Sequence, residues 1–338
     1  MKQKIAVIGA GSWGTALAIS LGSKGHETVI WDVDKDLLAG IDKSRENGRY
    51  LPGIRLNDNI VVAYDMKVAL DGADMALFAV PAQHFREAAI SAARYLEGGT
   101  PVVNAAKGIE EKTLKTLSEV SRELLPNHGY AVVSGPSHAE EVGQAMPTTL
   151  VAAAKEIKLA EYVQDVFMTE RFRVYTNTDV QGVELGGALK NIIALCAGIS
   201  DGMGFGDNAK AALMTRGLVE MARLGERLGG KRETFFGLSG VGDLIVTCTS
   251  AHSRNRRCGI MIGEGAPPNE AMERVGMVVE GVYTARAAYK LSKITGAEMP
   301  LTEQVCKVID GETSAKDAVA ALMTRQKRHE PEELPGIF

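Results

Sequence analysis

Cysteine and tryptophan are scarce in this sequence. Of its 338 residues, 4 are cysteine and 2 are tryptophan, and aromatic residues make up only 5%. The four cysteines, Cys196, Cys248, Cys258 and Cys306, are scattered, with no Cys-x-x-Cys pair and no paired histidines. This spacing predicts neither a disulfide framework nor a metal site. Unpaired cysteines also fit a reducing compartment.

Strong charge, a leader segment and long apolar runs are missing as well. The net charge of -4 gives no reason to expect nucleic acid or a membrane surface as a partner. Because Met1–Lys4 leads directly into an apolar strand pattern, we expect no signal peptide. No apolar run is expected to reach membrane-spanning length. These features predict a cytoplasmic protein, and its length suggests two domains.

A glycine-rich turn lies close to the N-terminus. It reads Gly9-Ala10-Gly11-Ser12-Trp13-Gly14, after a β-branched run at Lys4–Ile8 and before helical apolar spacing at Thr15–Leu21. In this context the pattern is typical of a dinucleotide-binding turn. The three glycines permit the turn, the approach of a pyrophosphate and close helix packing, respectively, and free N–H groups at the helix start face the phosphates. Trp13 fits either core packing or a wall beside the cofactor.

An acidic residue ends the second predicted strand, Glu27–Trp31. Asp32 lies about 20 residues past the glycines, where a carboxylate binds the ribose hydroxyls. A helix cap is the alternative, but Asp34 fits that position better. Val33 stands where an arginine would accommodate a 2′-phosphate, and Lys35 is expected to be the only cation close to it. We therefore expect NADH to be favoured over NADPH, because the carboxylate repels a 2′-phosphate.

Strand and helix patterns alternate up to residue 178. Further strands are predicted at Met75–Val80, Pro101–Asn104, Ala131–Ser134, Thr148–Ala152 and Phe172–Tyr175, with a helix at Thr113–Leu124. The alternation predicts a doubly wound, Rossmann-type α/β domain over residues 1–178. Lys107 and the turn Ser134-Gly135-Pro136-Ser137 follow strands, at the edge where such sheets bind ligands. A solvated loop lysine is the alternative for Lys107, and its position beside the expected cofactor mouth leaves the functional and the solvated interpretation equally open.

Strand signals nearly vanish after Asp179, which predicts an all-helical domain over residues 179–338. Its first helix, predicted at Asp179–Ser200, is apolar and carries Lys190 and Asn191 near its middle. A buried ammonium is costly unless it is paired or functional; the alternative is a lysine whose head reaches solvent. The tail from His329 to Phe338 is expected to be poorly ordered.

Two polar clusters follow in the helical half. Asp243 begins a predicted turn of helix, and Thr247 lies four residues on, on the same face. Ser250–Arg257 holds three arginines beside Ser253 and Asn255, a composition that suits a phosphate. A solvated basic loop is the alternative, but the nucleotide-binding pattern earlier in the chain favours phosphate recognition.

Six motifs, taken in order, resemble the NAD(P)-dependent glycerol-3-phosphate dehydrogenase family of bacterial type. They are Gly9-Ala10-Gly11-Ser12-Trp13-Gly14, Ala106-Lys107-Gly108, Ser134-Gly135-Pro136-Ser137, Leu185-Gly186-Gly187-Ala188-Leu189-Lys190-Asn191, Gly242-Asp243-Leu244 and Ser253-Arg254-Asn255-Arg256-Arg257. The resemblance implies interconversion of dihydroxyacetone phosphate and sn-glycerol 3-phosphate with NAD(H) or NADP(H), which supplies phospholipid synthesis. It also implies a homodimer, and no metal is expected.

The resemblance implies roles for individual residues. Lys190 is the expected proton donor and acceptor, and we place Asp243 and Lys107 with it in the catalytic group, since Asp243 can orient the lysine. Besides Gly9, Gly11, Gly14 and Asp32, the implied cofactor contacts are Ser12, Trp13, Val33, Lys107, Ala139, Arg254, Val278 and Glu280. The implied substrate contacts are Lys107, Gly135, Ser137, Asp243, Ser253, Arg254 and Asn255. To these we add Lys190, Asn191 and Thr247. At Val33 the sequence departs from many relatives, which carry a basic residue or histidine there.

Two other functions stay open. Another two-domain reductase of similar build would act on a hydroxyacyl thioester or a phosphogluconate. The Ser253–Arg257 segment and the Lys190-Asn191 pair argue against it. A non-catalytic dinucleotide sensor would signal redox state through a partner, and it would not need Lys190, Asp243 and Arg254 together.

Overall fold

An eight-stranded sheet organises the first half of the chain in a computed structural model that describes residues 2–327. The strands of the chain are β1 (Lys4–Ile8), β2 (Glu27–Trp31), β3 (Glu46–Asn47), β4 (Leu51–Arg55), β5 (Ile60–Val62), β6 (Met75–Phe78), β7 (Val102–Asn104), β8 (Tyr130–Ser134), β9 (Thr148–Ala154) and β10 (Phe172–Asn177). The order in the sheet is β10-β9-β8-β7-β6-β1-β2-β5, while β3 and β4 form a separate antiparallel hairpin. Neighbouring strands of the sheet are parallel except β8 and β9, which are antiparallel.

Helices flank this sheet and make up the rest of the described chain. Those before residue 178 are α1 (Ser12–Ser23), α2 (Lys35–Ser44), α3 (Met66–Leu70), α4 (Phe85–Ala92), α5 (Leu117–Leu124), α6 (Ala139–Gly143) and α7 (Ile157–Phe167). Those after it are α8 (Val180–Gly202), α9 (Asp207–Arg227), α10 (Arg232–Phe235), α11 (Asp243–Thr249), α12 (Arg254–Gly263), α13 (Pro268–Val275), α14 (Glu280–Thr295), α15 (Pro300–Ile309) and α16 (Ala315–Met323). A 3₁₀ turn, Ala82–His84, and a π turn, Leu238–Gly242, precede α4 and α11. No strand occurs between residues 178 and 327, so the predicted fold class, α/β followed by helices, is confirmed.

The sheet is buried on both faces, and β1 shows how. Ile5 and Val7 belong to the core beneath α1 and α7, while Ala6 and Ile8 belong to the core beneath α3, α4 and α5. From β1 the chain runs through α1 to β2 on one side, and it later returns to β6 on the other. The carboxyl ends of β1 and β6 therefore border a crevice, the position where open α/β sheets bind ligands.

Helix α8 is the centre of the helical half. Its residues from Val183 to Ser200 are all buried, and it packs against α9, α11, α12 and α14. By length and composition α8 could cross a membrane, so the sequence-based prediction that no apolar run is that long is wrong. The apolar window of the helix is entirely buried inside the protein, as in the core helix of a globular domain.

Glycines bring α12 into close contact with α8. A Cβ at Gly198 of α8 would lie 2.1 Å from the carbonyl oxygen of Arg256, and one at Gly259 of α12 would lie 2.2 Å from that of Leu195. Real Cβ atoms are not found at such distances from backbone, so only glycine permits this helix packing. The contact fixes α12 against the C-terminal third of α8, the helix that also carries Lys190.

Some predicted boundaries differ from the structure, and several short elements were missed, β5, α3 and α6 among them. Helix α5 begins at Leu117 rather than Thr113, because Thr116 and Glu119 form a capping box at its start. The hairpin of β3 and β4 was not predicted, and β9 and β10 run against the rest of the sheet. The prediction for the tail, residues 329–338, lies outside the described residues.

Candidate active site

A cavity of about 790 Å³ opens at the carboxyl ends of β1 and β6, between the sheet and the helical half. It falls within the usual size of a small-molecule site. All but three of the predicted site residues line it: Gly9, Gly11, Ser12, Trp13, Asp32, Val33, Lys107, Ser137, Ala139, Lys190, Asn191, Thr247, Ser253, Arg254, Asn255, Val278 and Glu280. Residues from both ends of the chain thus meet around one space.

The three remaining predicted residues lie behind the cavity wall. A Cβ at Gly14 would lie 1.9 Å from the carbonyl oxygen of Gly9, so this glycine allows α1 to pack on the turn rather than contacting a ligand. The carbonyl oxygen of Gly135 accepts hydrogen bonds from Lys107 Nζ and Ser137 Oγ, each at 2.9 Å. Asp243 is buried beneath the lysines, with 1% of its surface exposed.

Two lysines share the carboxylate of Asp243. Lys190 Nζ lies 2.7 Å from Oδ1, and Lys107 Nζ lies 2.6 Å from Oδ2. Lys190 Nζ also donates to Thr247 Oγ1 at 2.7 Å, and that hydroxyl donates to the Asp243 carbonyl oxygen. Lys190 is therefore paired rather than reaching out to solvent, and its ammonium is fixed at the cavity wall.

The protonation of this group follows from its burial and its pairing. Burial lowers the pKa of Lys190 to about 8, although the carboxylate of Asp243 opposes the change. Burial by itself would raise the pKa of Asp243, but Lys107 and Lys190 outweigh that effect and lower it. Asp243 therefore stays ionised while Lys190 can gain or lose a proton near neutral pH.

A pair of asparagines connects the lysines to α12 and α14. Asn191 Nδ2 donates to the carbonyl oxygen of Lys107 at 3.2 Å, and its Oδ1 accepts from Asn255 Nδ2 at 2.9 Å. Asn255 Oδ1 in turn accepts from the N–H of Gly281 at 2.9 Å. These bonds hold both asparagine amides in one orientation, so the two residues position neighbouring elements as well as lining the cavity.

The arginines of the basic segment separate into different roles. Ser253 caps α12 by accepting from the N–H of Arg256, and Arg254 begins the helix at the cavity wall. Within residues 2–327 the guanidinium of Arg254 makes no hydrogen bond or ion pair. Arg256 instead binds Asp201, with Nη2 2.6 Å from Oδ2, and Arg257 is exposed at the rim. The prediction that all three arginines suit a phosphate is therefore wrong for Arg256.

The opposite end of the cavity has room for a dinucleotide phosphate. A Cβ at Gly11 would enter open space, and α1 begins at Ser12 with no side chain capping its N–H groups. The indole Nε1 atoms of Trp13 and Trp31 are buried without a hydrogen-bond partner in the described chain. Trp13 lines the cavity and also packs on the core, so both predicted roles are compatible with its position.

Asp34 caps a helix and Asp32 faces the cavity, as the sequence predicted for these two residues. Asp34 caps α2 by accepting from the N–H of Leu37 at 2.9 Å. Asp32 faces the cavity, but its oxygens already accept from the N–H groups of Ala10 at 2.7 Å and Asp34 at 3.0 Å. Each carboxylate oxygen has a further lone pair, so the group is oriented by the backbone and can still accept from a ribose.

Glu280 bridges the two halves of the chain beside the cavity. Its Oε1 accepts from the N–H of Ala82 at 2.9 Å, while Oε2 is buried without a partner among residues 2–327. Burial raises the pKa of Glu280, and Arg254 acts against that change. An unpaired acceptor at this position fits a ligand that brings a donor, such as a nicotinamide amide.

Several lining residues were not predicted from the sequence. Tyr50 comes from the missed hairpin, and no local pattern marks it. His138 follows Ser137 directly, and its ring lies 5.8 Å from that of His252, which comes from the loop before α12. Burial and the two nearby lysines lower the pKa of His138, which favours the uncharged form of this ring. The position of His138 directly after Ser137, a predicted substrate contact, was the one feature of the sequence that could have indicated its place in the cavity wall.

Known proteins share this arrangement along the whole chain. A family model described as the NAD-dependent glycerol-3-phosphate dehydrogenase N-terminus matches residues 4–160, and one described as its C-terminus matches residues 179–320. The chain belongs to the NAD-dependent glycerol-3-phosphate dehydrogenase family. The family resemblance predicted from the motifs is thereby confirmed.

Full-length glycerol-3-phosphate dehydrogenases are among the similar proteins. One from Desulfitobacterium hafniense, named for NAD(P)+, is 55% identical over 334 residues, which are 99% of this chain and 95% of that protein. One from Bacillus thuringiensis, also named for NAD(P)+, is 52% identical over 338 residues, 99% of each. The crystal structure of glycerol-3-phosphate dehydrogenase from Coxiella burnetii is 40% identical, with a TM-score of 0.93 over 96% of this chain and 99% of that one.

Proposed function

We propose that the chain interconverts dihydroxyacetone phosphate and sn-glycerol 3-phosphate with a nicotinamide cofactor. One observation carries this most directly. A buried lysine whose pKa is about 8, Lys190, is held by Asp243 at the wall of a cavity that also reaches the glycine-rich turn. A reductase of a ketone needs such a proton donor close to a nucleotide site, and a dinucleotide sensor does not.

The chemistry follows from where the proton donor lies. When bound, a reduced nicotinamide supplies a hydride to the ketone carbon, and negative charge grows on the ketone oxygen. Lys190 stabilises that charge and gives the oxygen a proton, and in the reverse direction it takes the proton back. Asp243 and Thr247 hold Nζ in one place, so no reorganisation of the donor is needed during the reaction.

The phosphate of the substrate is assigned to the start of α12. The first N–H groups of a helix lack acceptors within it, and they attract anions. Arg254 stands there with an unpaired guanidinium, next to Asn255, whose amide is oriented by Asn191. Binding the phosphate at this point aligns the ketone with Lys190. The binding energy of the phosphate, which does not itself react, thereby accelerates the reaction at the ketone.

The remaining assignments are parts of the same proposal. The cofactor contacts, substrate contacts and catalytic group are those predicted above, with Gly14 and Gly135 acting by packing and by orienting Lys107. We also propose a domain boundary near residue 178, a homodimer, a cytoplasmic location and a role in supplying phospholipid synthesis. No metal takes part in the proposed reaction.

The deciding experiment measures consumption of NADH with dihydroxyacetone phosphate as substrate. Reduction of NAD+ or NADP+ is measured in parallel with three alcohols: sn-glycerol 3-phosphate, a hydroxyacyl thioester and a phosphogluconate. We expect turnover with dihydroxyacetone phosphate and with sn-glycerol 3-phosphate, and none with the other two alcohols. Turnover with either of those compounds and not with dihydroxyacetone phosphate would favour the other reductases. Cofactor binding without turnover of any of these compounds would favour a sensor.

The pH dependence of the reaction should follow Lys190. Reduction needs the ammonium form, so its kcat/KM should fall as the pH rises through about 8. Oxidation needs the neutral amine, so its kcat/KM should rise over the same range. The two profiles are measured with saturating cofactor in each direction. Profiles that change in the same direction would contradict a proton transfer by Lys190.

The cofactor preference should follow Asp32. We expect kcat/KM to be about tenfold or more higher with NADH than with NADPH, since a repulsion of about 1.4 kcal/mol is sufficient. Asp32→Ser should reduce this ratio, whereas Asp36→Ser, in the first turn of α2 and not in the cavity wall, should leave it unchanged. Equal rates with both cofactors in the wild-type enzyme would refute the prediction.

A further inference from the structure

The hairpin of β3 and β4 is anchored to the glycine-rich turn by a buried asparagine. Asn47 is fully buried, and its Nδ2 donates to the carbonyl oxygen of Ala10 at 2.7 Å and to Thr15 Oγ1 at 2.8 Å. Its Oδ1 accepts from the N–H of Tyr50 at 3.1 Å. One side chain therefore fixes the connection between the two strands against the turn that faces the dinucleotide phosphates.

This connection carries a cation to the ribose end of the cavity. Arg49 Nη1 lies 2.9 Å from Asp34 Oδ2, and the guanidinium lies 5.0 Å from the ring centre of Tyr50. Both partners line the cavity, and the N–H of Asp34 donates to Asp32. Arg49 thus contacts Asp34, which in turn contacts Asp32, the carboxylate assigned to the ribose. Arg49 and Asp32 are 17 positions apart in the sequence.

We propose that Arg49 binds the 2′-phosphate of NADPH and so sets how well this chain uses NADPH beside NADH. The inference rests on the proposed function for the identity of the cofactor. A 2′-phosphate would meet two carboxylates, Asp32 and Asp34, and a nearby arginine is how such sites accept it. The planar guanidinium can bind a phosphate through paired hydrogen bonds.

The ion pair between Arg49 and Asp34 is weak enough for Arg49 to leave it and bind the 2′-phosphate instead. The Arg49 side chain is 62% exposed and that of Asp34 is 36% exposed, and pairs of this kind contribute little to stability. With NADH bound, Arg49 neutralises Asp34 and stacks near Tyr50. With NADPH bound, it moves to the phosphate, which presents more negative charge than one carboxylate.

Lys35 is the other cation near this end, and its contacts direct it elsewhere. Its Nζ donates to the carbonyl oxygen of Tyr64 and lies 5.6 Å from the ring centre of Trp31. It makes no ion pair with Asp32 or Asp34 in the described structure. Lys35 therefore serves as the matched control for Arg49. It is a cation close to Asp32 in the sequence, but its side chain points to Tyr64 and Trp31 instead.

The test uses two fragments that lack nicotinamide, 2′,5′-ADP and 5′-AMP. The chain has only two tryptophans, Trp13 and Trp31, and both line this cavity, so their fluorescence reports binding without a background. Arg49→Ala should weaken 2′,5′-ADP binding about five- to tenfold. The effect is limited because wild-type Arg49 must give up its ion pair with Asp34 in order to bind the phosphate, which lowers its net contribution to the affinity. The variant's affinity for 5′-AMP should stay within about twofold of wild type. Lys35→Ala should change neither affinity. Arg55→Ala should not either, because Arg55 is an exposed cation at the end of β4 that does not line the cavity.

A second variant tests the same idea in the opposite direction. Asp34→Ser keeps a capping side chain at the start of α2 while removing one carboxylate. It should strengthen 2′,5′-ADP binding and leave 5′-AMP binding unchanged. Loss of both fragments equally in Arg49→Ala, or loss of 2′,5′-ADP in Lys35→Ala instead, would overturn the proposal. Fragment binding involves no substrate, so a chain that failed to reduce dihydroxyacetone phosphate would refute the proposed function and leave this test intact.

Discussion

Lys190→Ala is expected to lower kcat for dihydroxyacetone phosphate reduction by about 10²- to 10⁴-fold, the usual contribution of a general acid. The loss falls on kcat because Lys190 acts on charge that develops in the transition state. The affinity for NADH should change little, since no predicted contact of the glycine-rich turn involves this lysine. The measurements are steady-state kinetics and quenching of tryptophan fluorescence by NADH.

The variant should still fold. Lys107 stays 2.6 Å from Asp243 Oδ2, so the buried carboxylate keeps one cation when Lys190 is removed. Lys190→Met provides a second test, because it retains most of the aliphatic stem in the packed helix and lacks only the ammonium. Wild-type kcat in either variant would show that another group donates the proton. Reduced NADH affinity together with a lower melting temperature would indicate a folding defect in the alanine variant, and the methionine variant would then decide.

The parts of the site that local patterns encode could be predicted from the sequence. The glycines at positions 9, 11 and 14 were recognisable because a strand precedes them and a helix follows. Lys190 was noticeable as a charge on an apolar helix, and the spacing of Asp243 and Thr247 placed them on one helix face. Each of these signals lies within a few residues of the chain.

The parts that depend on distant contacts could not be predicted in this way. Asp243 pairs with Lys107, 136 positions earlier, as well as with Lys190, and no spacing reveals that one carboxylate serves two lysines. The hairpin that carries Arg49 begins with the polar pair Glu46 and Asn47, which shows no strand pattern. Asn47 can be buried because Ala10 of the glycine-rich turn and Thr15 of α1 each offer its amide an acceptor.

The arginines of α12 show how a helix boundary decides a role. Successive residues in an α-helix are rotated by about 100°, so Arg254 and Arg256 project in roughly opposite directions. Which of them faces the cavity depends on the residue at which the helix begins and on the glycine contacts with α8. Composition alone treats the arginines as equivalent. The family resemblance singled out Arg254, but no local pattern identified Arg256 as the partner of Asp201.

Arg254→Ala should lower kcat/KM for dihydroxyacetone phosphate by about ten- to a hundredfold, since a hydrogen bond to a charged group contributes roughly 1.5–3 kcal/mol. Arg254 begins α12 beside Asn255, and its guanidinium makes no hydrogen bond or ion pair among residues 2–327, although Glu280 lies near enough to act on its charge. Its positive charge is therefore available to the ligand. Kinetics with dihydroxyacetone phosphate and with unphosphorylated dihydroxyacetone measure the effect.

The unphosphorylated ketone separates the phosphate contact from every other role of Arg254. It never makes that contact, so its kcat/KM should fall much less in the variant. Arg257→Ala is the matched control, because Arg257 lies exposed at the rim of the same cavity, three positions further on. Its effect should be no more than about threefold, as expected for a screened surface charge. Equal proportional losses with both ketones would mean that Arg254 binds the cofactor or supports the fold, and weaker NADH quenching in Arg254→Ala would identify the first of these.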